Sequence, residues 1–163
     1  MVAASKAAET TVITSKDTEI RVIRSFDAPQ GLVFDCFTMA EHLPNWMIGP
    51  PGFTMAVCEV DLRVGGAYRC GWRNADGQAM DITGIFKEVR RPDRVVYTEN
   101  WGGDWPETIQ DYAFTVQDGK TLMTWTMIFP SKATRDAAID TGATSGTDET
   151  FANLDRYLAK QGR

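Results

Sequence analysis

The sequence has no long hydrophobic run, only one histidine and no concentrated patch of positive charge. Its apolar runs are far shorter than the roughly 20 residues that a membrane helix requires, so we expect no membrane insertion. The 17 Lys and Arg residues against 22 Asp and Glu give a net charge of -5. This balance argues against nucleic acid, or an anionic membrane surface, as the main partner.

Cysteine is also scarce, and it has no metal-binding spacing. Cys36, Cys58 and Cys70 are an odd number without a CxxC pattern, and His42 alone cannot complete a zinc site with them. We therefore expect no metal and no complete set of disulfides, with the cysteines acting as small buried hydrophobes. The start of the chain also lacks the apolar stretch of a secretory signal, so we expect a reducing cytoplasm.

The familiar catalytic motifs are missing as well. The chain contains no GxSxG, P-loop or HExxH motif, and no GxGxxG after a strand. Nucleophilic catalysis, nucleotide binding and metal-dependent hydrolysis therefore have no support in the sequence. We assign no catalytic residue and no cofactor, and we favour a protein that is not an enzyme.

The composition is that of one globular domain. Of the 163 residues, 43% are hydrophobic and 24% are charged, which is close to the average for such domains. A chain of this length buries enough surface to fold without disulfides or metal. Its Ala-, Ser-, Thr- and Lys-rich start predicts a mobile N-terminal arm over residues 1–17, followed by a single domain over residues 18–163.

The pattern of apolar residues predicts one strand, two short helices, six more strands and a C-terminal helix. Asp27 and Thr38 are predicted caps for the two short helices, and Thr147 for the last one. In the first strand Ile20, Val22 and Phe26 alternate with polar residues, and Ile23 and Arg24 interrupt the alternation. The seven predicted strands are Glu19–Phe26, Phe53–Val60, Ala67–Arg73, Met80–Val89, Arg94–Trp101, Ile109–Gln117 and Leu122–Phe129.

The short connections between strands allow only antiparallel neighbours, so the prediction is an α+β fold. One face of a seven-stranded sheet must be covered, and the last helix carries the apolar stripe Phe151, Leu154 and Leu158. A strongly curved sheet around a single helix tends to leave a hollow between them. We therefore expect an internal cavity on the order of 300–1,000 Å³.

Aromatic residues are the predicted walls of this cavity, because large rings suit apolar pockets. Each of them, taken singly, is equally compatible with an ordinary aromatic core. The predicted lining comprises Phe37, Trp46, Tyr68, Trp72, Tyr97, Trp101, Tyr112, Trp125 and Phe151.

Glu99 is the predicted ionisable group of the site. On a regular strand it projects to the same side as Tyr97 and Trp101. A carboxylate facing an apolar hollow loses hydration, so its pKa should rise and make it a candidate acid or base. The alternative is that Glu99 reaches solvent or an arginine, or that a bulge near Asn100 reverses its direction.

Several segments together resemble one known family. The stretch RVIRSFDAPQGLVFDCFTMAEHLPNWMIGPPGF is followed in order by CEVDLRVGGAYR and GIFKEVRRPDRVVYTENW. This series is similar, over about residues 19–160, to the family related to the activator of heat-shock protein 90 ATPase. The resemblance implies the helix-grip fold of the START-like (SRPBCC) superfamily, in which a seven-stranded curved antiparallel sheet wraps around a long C-terminal helix.

Three functions remain open on such a fold, because a fold does not fix a function. The first is binding of a small hydrophobic or aromatic molecule in the internal cavity. The second is an enzyme of the polyketide cyclase or dehydratase type, with Glu99 or a tyrosine as the acid or base. The third is a co-chaperone-like interaction module. The sequence leaves a homodimer open.

Overall fold

The computed structural model describes residues 8–161. The first seven residues of the predicted arm lie outside this range. Within it, the arm contributes an additional short strand, β1 (Thr11–Ile13), which pairs antiparallel with β2 (Glu19–Phe26). The sheet therefore has eight strands where we predicted seven. Three residues between polar flanks are too short a run to show a strand pattern, and only pairing with β2 reveals it.

The eight strands form one antiparallel sheet in the order β1-β2-β8-β7-β6-β5-β4-β3. Every neighbouring pair is antiparallel, as the short connections predict. The remaining strands are β3 (Thr54–Val60), β4 (Ala67–Arg73), β5 (Ala79–Arg90), β6 (Arg94–Glu99), β7 (Thr108–Gln117) and β8 (Lys120–Ile128).

The helices are α1 (Gln30–Thr38), a 3₁₀ helix (Leu43–Asn45), α2 (Lys132–Asp140) and α3 (Thr147–Gln161). The predicted N-caps of the two short helices, Asp27 and Thr38, are wrong. Pro29 occupies the N-cap position of α1, and the Gln30 side chain donates to the backbone carbonyl of Phe114 at 2.9 Å. The Thr38 hydroxyl donates to the backbone carbonyl of Phe34 at 2.9 Å, so Thr38 belongs to the last turn of α1 and is not the N-cap of the next helix. No helix among the described residues is both long and apolar enough to cross a membrane.

α3 covers the inner face of the sheet through the predicted stripe. Phe151, Leu154 and Leu158 are 3%, 0% and 3% exposed, which confirms that prediction. The Phe151 ring meets Phe26 of β2 edge-on at 5.6 Å and Trp125 of β8 at 6.4 Å. The architecture is the helix-grip arrangement, with one curved antiparallel sheet folded around a long C-terminal helix.

A buried ion pair joins β2 to α3. Arg24 lies on the inner face of β2 with Ile20, Val22 and Phe26, and it is only 3% exposed. Its guanidinium binds both carboxylate oxygens of Asp155, at 2.7 and 2.6 Å. The interpretation that Arg24 interrupts the strand pattern is therefore wrong. The alternation is regular, and one of its inward positions is charged.

Arg135 of α2 fixes the start of the domain. Its side chain is nearly buried, and it donates to the backbone carbonyls of Thr14 and Lys16 at 3.0 and 2.9 Å. Ser131 and Thr134 form a reciprocal capping box at the start of α2. The connection between β1 and β2 is thereby held against α2 by Arg135.

Candidate functional site

Aromatic rings from three neighbouring strands stand side by side on the inner face. The ring of Trp125 on β8 stacks on Tyr112 of β7 at 5.3 Å, and Tyr112 stacks on Tyr97 of β6 at 6.0 Å. Trp125 and Tyr112 are direct partners in the register, and Tyr97 is the diagonal neighbour of Tyr112. Adjacent strands are about 4.8 Å apart, so rings at such positions come into this spacing. The result is a continuous aromatic wall facing α3.

Tyr68 on β4 extends this wall across β5, because β5 has a glycine at that point. Gly84 is paired with Tyr68, and a Cβ added there would lie 2.5 Å from the Tyr68 ring and 1.8 Å from the Thr98 carbonyl. The ring of Tyr68 therefore packs over bare backbone and meets Tyr97 edge-on at 5.0 Å. Its hydroxyl donates to the Thr98 carbonyl at 3.0 Å.

One end of the site is closed by α1 and the segment after it. Phe37 lies 5.2 Å from the Tyr112 ring and 4.9 Å from the ring of Trp46. Trp46 has no exposed surface, and its indole donates to the Cys36 carbonyl at 2.9 Å. Phe37, Trp46 and Phe151 are thus packed residues that border the aromatic wall.

Two tryptophans stack on each other beside the segment that follows α1. Trp72 and Trp101 stack at 6.2 Å with an interplanar angle of 13°, and Trp101 is 46% exposed. The Trp72 indole donates to the Met47 carbonyl at 2.8 Å, and the Trp101 indole donates to Glu99 at 2.8 Å. This pair lies where the inner face meets solvent.

Glu99 lies between this tryptophan pair and the aromatic wall. Burial raises the pKa of its carboxyl above the ordinary 4.5, and the hydrogen bond from Trp101 only partly offsets this. Glu99 and Tyr97 are nevertheless only half-buried. The bulge in the β5–β6 pairing lies at Phe86 and Glu88 and leaves the direction of Glu99 unchanged.

This raised pKa predicts a pH-dependent stability difference between the wild type and Glu99→Gln. The folded state holds the Glu99 proton more tightly than the unfolded state does, so wild-type stability should fall as pH rises from about 4.5 through the folded-state pKa. Glu99→Gln should not show this loss of stability. Urea unfolding at several pH values measures the free energy of unfolding of both proteins, with Glu59→Gln, a change at an exposed and outward-facing residue, as the control. An unchanging difference across that range would contradict an elevated pKa.

Three tyrosine hydroxyls accompany the carboxylate. Burial is the main cause that raises the pKa of Tyr68, Tyr97 and Tyr112, and the nearby charge of Glu99 adds to each. At neutral pH all three remain protonated and can serve as hydrogen-bond donors.

Two polar residues of the inner face were missed at the sequence level. Gln110 is 2% exposed, accepts from the Trp125 indole at 2.7 Å and donates to Thr108 at 2.9 Å. Thr108 and Gln110 lie on the same side of β7 as Tyr112, so the alternation of that strand could have identified them. They fix the orientation of Trp125 and make this part of the wall polar.

The described residues contain two depressions, of about 330 and 540 Å³, on the outer face of the sheet. The larger includes Arg94, which donates to both carboxylate oxygens of Asp111 through its Nε and Nη2. Neither is the predicted cavity, which stays a prediction about the space between the aromatic wall and α3. Nor do the described residues bring three or more His, Cys, Asp or Glu side chains together as a metal site.

The family model described as "Activator of Hsp90 ATPase homolog 1-like protein" matches residues 27–159. The chain belongs to this family. Among curated proteins, none matches the sequence. The match covers α1, the sheet from β3 onwards and nearly all of α3, so the family pattern includes every element that contributes to the aromatic wall.

Solved structures share the same fold. A protein from Rhodobacter sphaeroides superimposes with a TM-score of 0.88 at 23% identity, covering 94% of this chain and 99% of that one. Ms6760 from Mycobacterium smegmatis gives 0.80 at 23% identity, covering 92% and 97%. An AHSA1-like protein from Aeromonas hydrophila gives 0.68 at 21%, covering 88% and 94%. At these identities the similarity shows the fold alone.

Proposed function

We propose that the protein binds a small hydrophobic or aromatic molecule between the inner face of its sheet and α3. The observation that carries this proposal is the combination at Glu99 and Tyr97, which are desolvated by surrounding protein and still have accessible surface. The family fold is compatible with this function.

The wall suits a flat apolar ligand with one polar end. Trp125, Tyr112 and Tyr97 provide stacked ring surface, and large rigid rings are favoured in apolar pockets. Glu99 would receive the polar end. In its protonated form it donates to a carbonyl oxygen, and in its ionised form it accepts from an N–H group or holds a cation. The exposed Trp101 marks the entrance.

A fluorescent apolar probe tests the proposal directly. The full-length protein is titrated with 1-anilinonaphthalene-8-sulfonate at several pH values, alongside Glu99→Gln and Glu59→Gln. We expect Glu99→Gln to keep the fold and change the affinity or its pH dependence, because it removes a charge at the site without changing shape. Glu59→Gln alters the outer face of β3 and should bind as the wild type does.

Native mass spectrometry of protein purified from its own cells provides a second readout, because a retained ligand would identify itself by mass. Identical probe binding by the wild type and both variants at every pH would contradict a site at Glu99. Absence of probe binding together with absence of a retained ligand would contradict the cavity itself.

A second candidate function is supported by the convergence of Glu99 with three protonated tyrosine hydroxyls. A carboxyl with a raised pKa beside positioned donors can transfer protons to and from a bound substrate. An enzyme of the cyclase or dehydratase type would then lose about 10²–10⁴-fold in turnover on Glu99→Gln while keeping its affinity. A binding protein would show the reverse, a change in affinity with no turnover to lose.

A further inference from the structure

Two of the three cysteines face each other across the edge of the sheet. Cys58 on β3 and Cys70 on β4 are direct partners in the antiparallel register. Both lie on the inner side, since Cys70 alternates with the buried Tyr68 and Trp72. β3 is the last strand of the sheet, so the pair stands at an edge, and Cys58 keeps accessible surface.

The register places the pair at disulfide distance. The amide of Asp61 donates to the carbonyl of Ala67 at 3.0 Å, which makes these two a hydrogen-bonded pair. Such pairs alternate with non-hydrogen-bonded pairs along an antiparallel ladder, so Cys58 and Cys70 occupy a non-hydrogen-bonded position. Cα atoms at such positions are about 4.5 Å apart, inside the roughly 4.4–6.8 Å that disulfides span.

The two thiols differ in their surroundings. The neighbouring Cys70 thiol lowers the pKa of Cys58 against the opposing effect of burial. The neighbouring Cys58, with burial second, raises the pKa of Cys70. Cys58 is thus the more readily ionised and more accessible sulfur, and Cys70 is poised beside it. Thiolate character and access together decide which cysteine reacts.

We propose that Cys58 and Cys70 form an oxidisable dithiol that a hydroperoxide converts into a cross-strand disulfide. The Cys58 thiolate attacks the terminal peroxide oxygen, the O–O bond breaks, and the alcohol or water leaves after taking up a proton. Cys58 becomes a sulfenic acid. The Cys70 sulfur then attacks the Cys58 sulfur, the S–O bond breaks, and water leaves with the Cys70 proton. Two thiols lose two electrons, and the peroxide is reduced.

Cys36 is the matched control within the same chain. It lies on α1 with no exposed surface, and burial, with the charge of Asp35 second, raises the pKa of its thiol to about 12. A thiol that stays protonated and inaccessible is a poor nucleophile. Oxidation should therefore spare Cys36 and distinguish a specific pair from general thiol damage.

The test treats reduced full-length protein with hydrogen peroxide and then alkylates the remaining thiols before intact-mass and peptide analysis. We expect one alkylated thiol, at Cys36, and a peptide cross-link between Cys58 and Cys70 that dithiothreitol reverses. Cys36→Ser should form the same cross-link. Cys58→Ser and Cys70→Ala should form no intramolecular cross-link, and dimedone should label Cys58 in Cys70→Ala.

Two results would overturn the proposal. One is the recovery of all three alkylated thiols after peroxide treatment that fully oxidises dithiothreitol added as a positive control. The other is a cross-link that includes Cys36 or joins two chains. The wild-type peptide map decides both without depending on whether any variant folds.

Discussion

Replacing Asp155 with alanine is expected to lower the free energy of unfolding by about 3 kcal/mol, near the lower end for a broken buried ion pair. Arg24 would remain on the inner face of β2, 3% exposed, without the carboxylate that binds both of its terminal nitrogens. Its Nε already has no hydrogen-bond partner among the described residues. The expected loss is not at the upper end because the Asp155 side chain is 39% exposed and admits water. Urea unfolding measures it.

Two further variants separate burial from charge. Arg24→Met combined with Asp155→Ala should recover most of the lost stability, because an apolar side chain of similar length replaces the unpaired charge. Arg63→Ala removes an exposed partner of Asp61 and should change stability by about 0.5 kcal/mol or less. If Asp155→Ala lowers stability no more than Arg63→Ala does, the Arg24–Asp155 pair does not join β2 to α3.

Leu154→Ala is the second substitution with a large expected effect, a loss of roughly 2–5 kcal/mol. Leu154 has no exposed surface and lies at the centre of the stripe by which α3 contacts the sheet. Truncation removes apolar contacts and leaves a space that the surrounding rings fill only in part. Thermal and urea unfolding with a shared two-state analysis measure the loss.

Arg156→Ala is the matched control on the same helix. Its side chain is exposed, and arginine and alanine have similar helix propensities, so a change of about 0.5 kcal/mol or less is expected. Equal effects of Leu154→Ala and Arg156→Ala would place the stripe outside the core and contradict the covering role of α3.

Much of the fold follows from local patterns. The periods of two and 3.6 residues predict the strands from β2 to β8 and the stripe on α3, because backbone geometry sets both periods whatever the rest of the chain does. The exceptions are short. β1 has only three residues, and the second predicted helix is a 3₁₀ turn at Leu43–Asn45 that contains Pro44. Elements of this size are stabilised by contacts with other parts of the chain, and a local sequence pattern does not show such contacts.

Strand alternation also predicts which rings share a face. Along β7 it predicts one face for Tyr112, Phe114 and Val116. Tyr112 and Phe114 lie together on the inner side, whereas Val116 is 65% exposed because the end of β7 extends beyond the core. The stack of Trp125, Tyr112 and Tyr97 needs more than alternation. It depends on the registers that place residues of β8, β7 and β6 beside one another. Register across strands is a property of the assembled sheet.

The sequence by itself determined the α+β class, the antiparallel sheet and the apolar stripe of α3. Each depends on the alternation or spacing of nearby residues. Only the tertiary structure decided that Arg24 is buried, because its partner Asp155 is 131 residues away. The same holds for the Cys58–Cys70 pair and for Tyr68 packing over Gly84, since strand register places both. A buried charge needs an opposite charge beside it, and only the folded chain brings such a distant partner into contact.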